Sequence, residues 1–126
     1  MNDKITLNIW EREFHLDVVY DCYAGENVTP LQSETFHALN QNNNCINSTL
    51  QNVKAYCVDN YGDEVTLSDL NNIFKYVVPK AIFIKRDHQN HIFALMCHFK
   101  LDMEHGLALV FQENKLVKIG AEDIIL

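Results

Sequence analysis

The sequence predicts an α+β domain, with a largely antiparallel sheet of about six strands and helices packed on one face. Three observations indicate this class. Alternating apolar and polar residues open the chain, helical patterns occupy its middle, and four further strand-like segments fill its last third. The predicted order is β-β-α-α-α-β-β-β-β. A chain of 126 residues is typical of a single domain, which we expect to span residues 1–126.

The first two strands are predicted to form a hairpin. Ile5, Leu7 and Ile9 alternate with polar residues, and a second alternating segment runs over 14–22 after a short polar break. Period two on both sides of such a break is typical of a β-hairpin. We expect the opposite face of this hairpin to display acidic and aromatic side chains together, namely Trp10, Glu13, Asp17, Asp21 and Tyr23.

Three helices are predicted between the hairpin and the later strands. Thr29-Pro30 is typical of a helix start, because the hydroxyl can cap the first turn and proline needs no donor there. An amide-rich loop at 40–44 precedes a second helix over about 46–58. A capping box beginning at Thr66 predicts a short third helix, which we expect to end at Pro79.

The last third of the chain is predicted to be a four-stranded meander. Polar breaks separate strand-like segments at 80–86, 91–101, 106–112 and 115–119. Residues 92–99 are apolar on both faces, which predicts a central strand covered at least in part on both sides.

The net charge of −7 is concentrated in the first half of the chain. Residues 1–70 carry −8, whereas residues 71–126 carry +1. This balance disfavours nucleic-acid binding, which needs clustered cations, and favours a basic protein partner. A merely soluble acidic surface would explain the same charge. The N-terminus lacks the apolar core of a signal peptide and no apolar segment approaches the roughly 20 residues of a membrane span, so we expect a cytoplasmic protein without membrane contact.

The sequence offers little for catalysis or for a cofactor. The cysteines at 22, 45, 57 and 97 lack metal-site spacing, and no nucleophile or phosphate-loop motif occurs. We therefore expect no enzyme, catalytic residue, metal or cofactor. The alternative is a small metal-dependent or His-assisted enzyme that uses the four clustered side chains Asp102, Glu104, His105 and Asp123.

The C-terminal quarter resembles a family of uncharacterised small bacterial α+β domains. The matching residues are Cys97, Phe99, Asp102, Glu104, His105, Gly106, Leu107, Val117, Ile119, Gly120 and Asp123. Leu101 and Ala108 depart from the pattern, where tryptophan and glycine would be expected. The resemblance implies no known activity. Such domains are similar to proteins that accompany polymorphic toxins, and some small acidic ones are immunity proteins.

The resulting functional hypothesis is a non-catalytic protein-binding domain. Its most concrete form is an immunity protein that neutralises a basic toxin, with a nuclease as one candidate; a structural subunit of a larger assembly is a further alternative. We expect the turn at 102–106 to be a tight hairpin connection that serves the fold, with Gly106 at positive φ. The expected contacts with the partner are Trp10, Glu13, Asp17, Asp21, Tyr23, Asp59, Asp63 and Glu64.

Overall fold

A computed structural model describes residues 3–126 and confirms the predicted α+β class. Its strands form one six-stranded sheet in which spatial order equals chain order. Neighbouring strands are antiparallel except β2 and β3, which are parallel. The strands are β1 (Asp3–Ile9), β2 (Arg12–Tyr20), β3 (Val77–Ile84), β4 (Ile92–Phe99), β5 (Leu107–Gln112) and β6 (Lys115–Gly120).

The helices lie in the connection between the parallel strands. They are α1 (Pro30–Gln41), α2 (Asn44–Asn47) and α3 (Leu50–Tyr61). Thr29 caps α1 in a reciprocal capping box with Gln32, as Thr-Pro predicts. The predicted second helix is divided, because a turn separates α2 from α3 and the Thr49 hydroxyl donates to the Ile46 carbonyl there, at 2.6 Å. None of the helices within residues 3–126 has the length and apolar character that a membrane crossing requires.

The predicted third helix is wrong. The segment forms two 3₁₀ turns, Asp69–Asn71 and Ile73–Lys75, although the expected box is present: the Thr66 N–H donates to the Asp69 carboxylate at 2.9 Å and the Asp69 N–H donates to the Thr66 hydroxyl at 3.3 Å. Pro79 does not end a helix but lies within β3, beside a register shift. A strand tolerates proline at such a bulge, where no ladder donor is needed.

The main core lies between the helices and one face of the sheet, here called the inner face. Side chains that point inward from all six strands pack with Leu39 of α1, Ile46 of α2, and Val53 and Cys57 of α3. Phe93 and Phe111 stack across β4 and β5 with ring centroids 4.8 Å apart. The helices therefore cover the inner face, as predicted for an α+β domain.

The opposite, outer face carries a smaller apolar cluster. Ala94 and Met96 of β4 pack with Ala108 and Val110 of β5, under Ile125, which is 2% exposed. β4 is thus covered on both sides, as its apolar composition predicts. The cover on the outer side is the short segment that follows β6, which contains the 3₁₀ turn Glu122–Ile124.

Two hairpin turns each contain two consecutive non-glycine residues with positive φ. Trp10 and Glu11 join β1 to β2 with φ of 49° and 72°, and Glu113 and Asn114 join β5 to β6 with φ of 50° and 65°. Two consecutive residues with positive φ are typical of a type I′ turn, which normally contains asparagine or glycine. The first turn therefore places a bulky aromatic residue in a costly conformation.

The expectation that Trp10 is displayed on the hairpin is wrong, because its side chain is only 7% exposed. The ring packs against Phe74, with centroids 5.9 Å apart. The Trp10 N–H donates to Asn47 Oδ1 at 2.9 Å, and Asn43 donates to the Asn8 carbonyl at 2.8 Å. The asparagines near α2 thus hold the turn in place, and Trp10 serves the core.

His91 links two parts of the fold through two carboxylates. Its Nδ1 lies 3.0 Å from Glu113 Oε2 and its Nε2 lies 3.3 Å from Glu34 Oε2 on α1. The hydrogen bond with Glu113 raises the pKa of His91 above its ordinary value; burial opposes this effect and Glu34 adds to it. Protonated His91 therefore stabilises the contact between α1 and the β5–β6 turn.

Replacement of Trp10 tests its role in the core. Trp10→Ala should lower the free energy of unfolding by about 3–5 kcal/mol, because it empties a buried site. Trp10→Phe should cost much less, since within residues 3–126 the buried indole N–H has no acceptor to lose. Urea unfolding followed by circular dichroism measures both changes. A Trp10→Ala protein of unchanged stability would contradict the burial.

The stability of the protein should fall as pH rises through the pKa of His91. The pKa of His91 is higher in the folded state than the ordinary value of about 6.5. The stabilisation is therefore complete below about pH 6.5 and is lost as pH rises through the raised pKa of the folded state. Urea unfolding at a series of pH values should show a smaller decline for His91→Gln. His37→Gln, which changes an exposed histidine on α1, is the control. An unchanged slope in His91→Gln would refute the linkage.

Candidate functional site

The structure shows that two acidic residues predicted on the first hairpin are exposed on the outer face of β2. Leu16 and Val18 point into the core, so Glu13 and Asp17 point the other way. The Asp17 carboxylate accepts from Lys4 Nζ at 2.6 Å, and Glu13 lies 3.8 Å from the His15 ring. The Asp17 charge is therefore balanced by its neighbour, which weakens the negative field of this face.

Asp21 and Tyr23 lie beyond the end of β2, in different environments. Asp21 Oδ2 accepts from the Arg86 N–H at 3.2 Å, so this half-buried carboxylate holds the loop after β3. Tyr23 is 79% exposed. Cys22 also lies after β2 and outside the strand in which it was expected.

The structure does not gather the predicted contact residues on one surface. Glu13 and Asp17 lie on the outer face near the β1 edge of the sheet. Asp59, Asp63 and Glu64 are exposed at the C-terminal end of α3, within the helical layer that covers the inner face. These two groups therefore face in different directions, and one partner surface does not reach both without wrapping around the sheet.

The turn that resembles the bacterial domains is an ordered loop over residues 100–106. Asp102 Oδ1 lies 3.0 Å from His105 Nδ1, and the Gly106 N–H donates to the Asp102 carbonyl at 3.0 Å. Gly106 has φ of +66°, as predicted. The expectation of a tight hairpin connection is wrong, because the loop is longer than a two-residue turn and is closed by these hydrogen bonds.

Gly106 is also required for close packing with the segment after β6. A Cβ atom there would overlap Glu122 Oε1 and lie 2.6 Å from Glu122 Cδ. Lys80 Nζ donates to Glu122 Oε1 at 2.9 Å, and the Glu122 N–H donates to the His105 carbonyl at 3.0 Å. The turn and tail thus form one structural unit that lies against β3.

The titration of the turn follows from the pairing of Asp102 with His105. The hydrogen bond to Asp102 raises the pKa of His105, and the carboxylates of Glu104 and Asp123 add to the rise. The same hydrogen bond lowers the pKa of Asp102. The pair resembles a general base, but no group of three or more His, Cys, Asp or Glu side chains within residues 3–126 is arranged to hold a metal ion.

The structure brings this turn beside the C-terminal end of α3, and the sequence did not predict this proximity. Burial raises the pKa of Tyr61, and the negative charges of Asp102 and Glu64 raise it further. Burial also raises the pKa of Tyr56, and Asp102 makes a smaller contribution after Tyr61 and Cys57. We call this surface the acidic end; it comprises Asp59, Asp63 and Glu64 at the end of α3, and Asp102 and Glu104 in the turn.

A groove of about 360 Å³ adjoins the acidic end, between α3 and the edge strand β6. Tyr56 and Asp59 line it from the helix, and Val117, which is 56% exposed, and Lys118 line it from the strand. The helix was predicted, but its pairing with β6 depends on contacts between distant parts of the chain.

The chain belongs to the family described as Domain of unknown function (DUF6985), whose match spans residues 1–126. Neither a curated protein nor a solved structure matches the chain. The family therefore establishes what the chain is related to and assigns no activity to it.

Substitution of Gly106 tests the packing of the turn. Gly106→Ala should lower the free energy of unfolding by on the order of 2 kcal/mol, because positive φ costs an L-residue about 1 kcal/mol and the Glu122 side chain must also move. Gly25→Ala is a matched control, since Gly25 has φ of +84° but open space around its Cβ position. Thermal and urea unfolding measure the difference.

A second variant separates the two costs at Gly106. Glu122→Ala removes the overlapping carboxylate, so it should cost less in the Gly106→Ala background than in the wild type. If Gly106→Ala and Gly25→Ala lower the free energy of unfolding equally, glycine is needed at Gly106 only for its positive φ and not for packing against Glu122.

Proposed function

We propose that this protein is a non-catalytic binding domain that docks a basic protein through the acidic end. Its more specific form is the neutralisation of a basic toxin in the cytoplasm. The net charge alone favours a basic partner but does not identify which acidic surface binds it. The position of the acidic end on α3 distinguishes it from the other charged surfaces.

The main support for the proposal is that acidic residues lie at the C-terminal end of α3, where a negative charge is unfavourable. The C-terminus of a helix has partial negative charge, and a carboxylate there costs stability by up to about 1 kcal/mol. Asp59 lies in the last turn of α3, Asp63 and Glu64 follow it directly, and no base occupies that turn. These residues lower the stability of the free protein, and a cationic partner would compensate their charge on binding.

The groove between α3 and β6 provides the apolar component of such an interface. Tyr56 is partly exposed along the groove and Val117 presents its side chain from the edge strand. Protein interfaces commonly surround aromatic and aliphatic anchors with a polar rim. The acidic residues supply that rim and accelerate encounter, whereas Tyr56 and Val117 slow dissociation.

A toxin is the favoured class of partner for two reasons. The C-terminal quarter resembles small bacterial domains that are similar to immunity proteins. A nuclease toxin has a positively charged groove for its substrate, and a compact acidic surface can occupy that groove by imitating the substrate's charge.

Charge reversal at the end of α3 tests the proposal through two readouts that move in opposite directions. The test partner is the product of the neighbouring gene, which the proposal requires to be basic. Asp63→Lys with Glu64→Lys should weaken binding to that protein by at least about ten-fold. The same double variant should retain or increase its free energy of unfolding, because lysine suits a helix C-terminus. Binding kinetics and urea unfolding measure the two effects.

Glu11→Lys with Glu13→Lys is the matched control, because it changes the total charge equally on the first hairpin. Its association should slow slightly at low salt and recover at about 0.1 M salt, where exposed charges are screened beyond about 10 Å. Equal losses in the two double variants would refute docking at the acidic end. The toxin form further requires that the neighbouring protein arrest growth alone and that co-expression of this chain restore it.

A further inference from the structure

A second groove combines lysines with an aromatic ring, in contrast to the net charge of −7. It encloses about 330 Å³ where β3 begins and β4 ends. We call it the lysine groove; the lining residues used below are Lys75, Tyr76, Val78, His98, Lys100 and Met103. Its volume lies at the lower limit of typical small-molecule sites.

Two ammonium groups lie beside the same aromatic ring. Lys75 Nζ and Lys100 Nζ are each 5.8 Å from the centroid of Tyr76. The backbone holds them together, because the Lys100 N–H donates to the Tyr76 carbonyl at 2.8 Å. Within residues 3–126, neither lysine has a carboxylate within ion-pair distance, so neither charge is neutralised by a direct ion pair.

The walls of the groove expose apolar side chains that the fold does not explain. Val78 is 38% exposed and Met103 is 82% exposed. Val78 pairs with His98 across β3 and β4, which places the imidazole on the same side of the sheet. A ligand that covers these groups would gain from apolar burial as well as from charge pairing.

We propose that the lysine groove binds a small phosphate monoester with an aromatic body. A phosphate monoester carries between about −1.5 and −2 charges at neutral pH and thus matches two ammonium groups, whereas a carboxylate carries one. Lys75 and Lys100 bind the phosphate oxygens. The aromatic body contacts Tyr76, Val78 and Met103. His98 supplies a further hydrogen-bond donor from β4.

The proposal is independent of the acidic end, because it assigns a different surface and a ligand of opposite charge. The loop over residues 100–106 borders both surfaces: Lys100 and Met103 line the groove, whereas Asp102 and Glu104 belong to the acidic end. Carboxylates nearby exclude strongly anionic macromolecules but leave room for a compact ligand.

Titration with phenyl phosphate, followed by amide NMR shifts, tests the proposal. Shifts should concentrate at residues 75–78 and 98–103, with an affinity at least about ten-fold higher than for inorganic phosphate or benzyl alcohol. Lys75→Gln with Lys100→Gln should weaken binding by at least about ten-fold. Lys115→Gln with Lys118→Gln removes the same charge from exposed positions on β6 and should leave the affinity unchanged.

Three results would overturn the proposal. Absence of localised shifts at millimolar phenyl phosphate would exclude the site, and equal weakening in both lysine double variants would reduce it to general charge attraction. Benzoate that binds as tightly as phenyl phosphate would show that the groove does not select phosphate. Tyr76→Leu should preserve binding of inorganic phosphate and lower the affinity for phenyl phosphate, which distinguishes a loss of the aromatic contact from unfolding.

Discussion

The structure depends on the need to cover both sides of β4. Helices satisfy this need on the inner face, but on the outer face a short segment after β6 covers Ala94 and Met96 with Ile125. Lys85 Nζ donates to the Ile125 carbonyl at 2.9 Å, and Lys80 holds Glu122. Such a small cover contributes only a few buried side chains, so specific polar contacts keep it in place.

This constraint explains much of the motif at the C-terminal end of the chain. Gly106 leaves room for Glu122, and the His105 carbonyl accepts from the Glu122 N–H. The turn at residues 100–106 therefore has a structural role, consistent with the prediction that it serves the fold. Its carboxylates nevertheless lie beside the end of α3, so the same loop contributes to the acidic end without supplying its apolar anchors.

Stability and proposed function conflict at α3 in a physically definite way. Asp59 is unfavourable near the helix C-terminus, and Asp63 and Glu64 add negative charge immediately beyond it. Other acids lie where they stabilise the fold: Asp69 caps a turn, and Glu113 binds His91. The unfavourable acids at α3 are the reason that the proposal places the binding surface there, because binding sites often retain groups that reduce stability.

The sequence by itself determined the α+β class, the six strands and the start of α1. These features depend on period-two alternation and on local caps, which act over a few neighbouring residues. It also predicted positive φ at Gly106. The sequence wrongly predicted that Pro79 ends a helix, because the residues before it have helical spacing. In the structure, strand pairing with β4 outweighs that local preference, so the segment forms two 3₁₀ turns and Pro79 lies at a bulge in β3.

Only the tertiary structure decided which side chains meet. It buried Trp10 against Phe74, divided the predicted contact residues between two directions, and set Lys100 beside Tyr76. It also placed His91 between Glu34 and Glu113, which come from separate elements. Periodicity specifies which face of an element is apolar, whereas these contacts depend on how distant elements pack around a shared core.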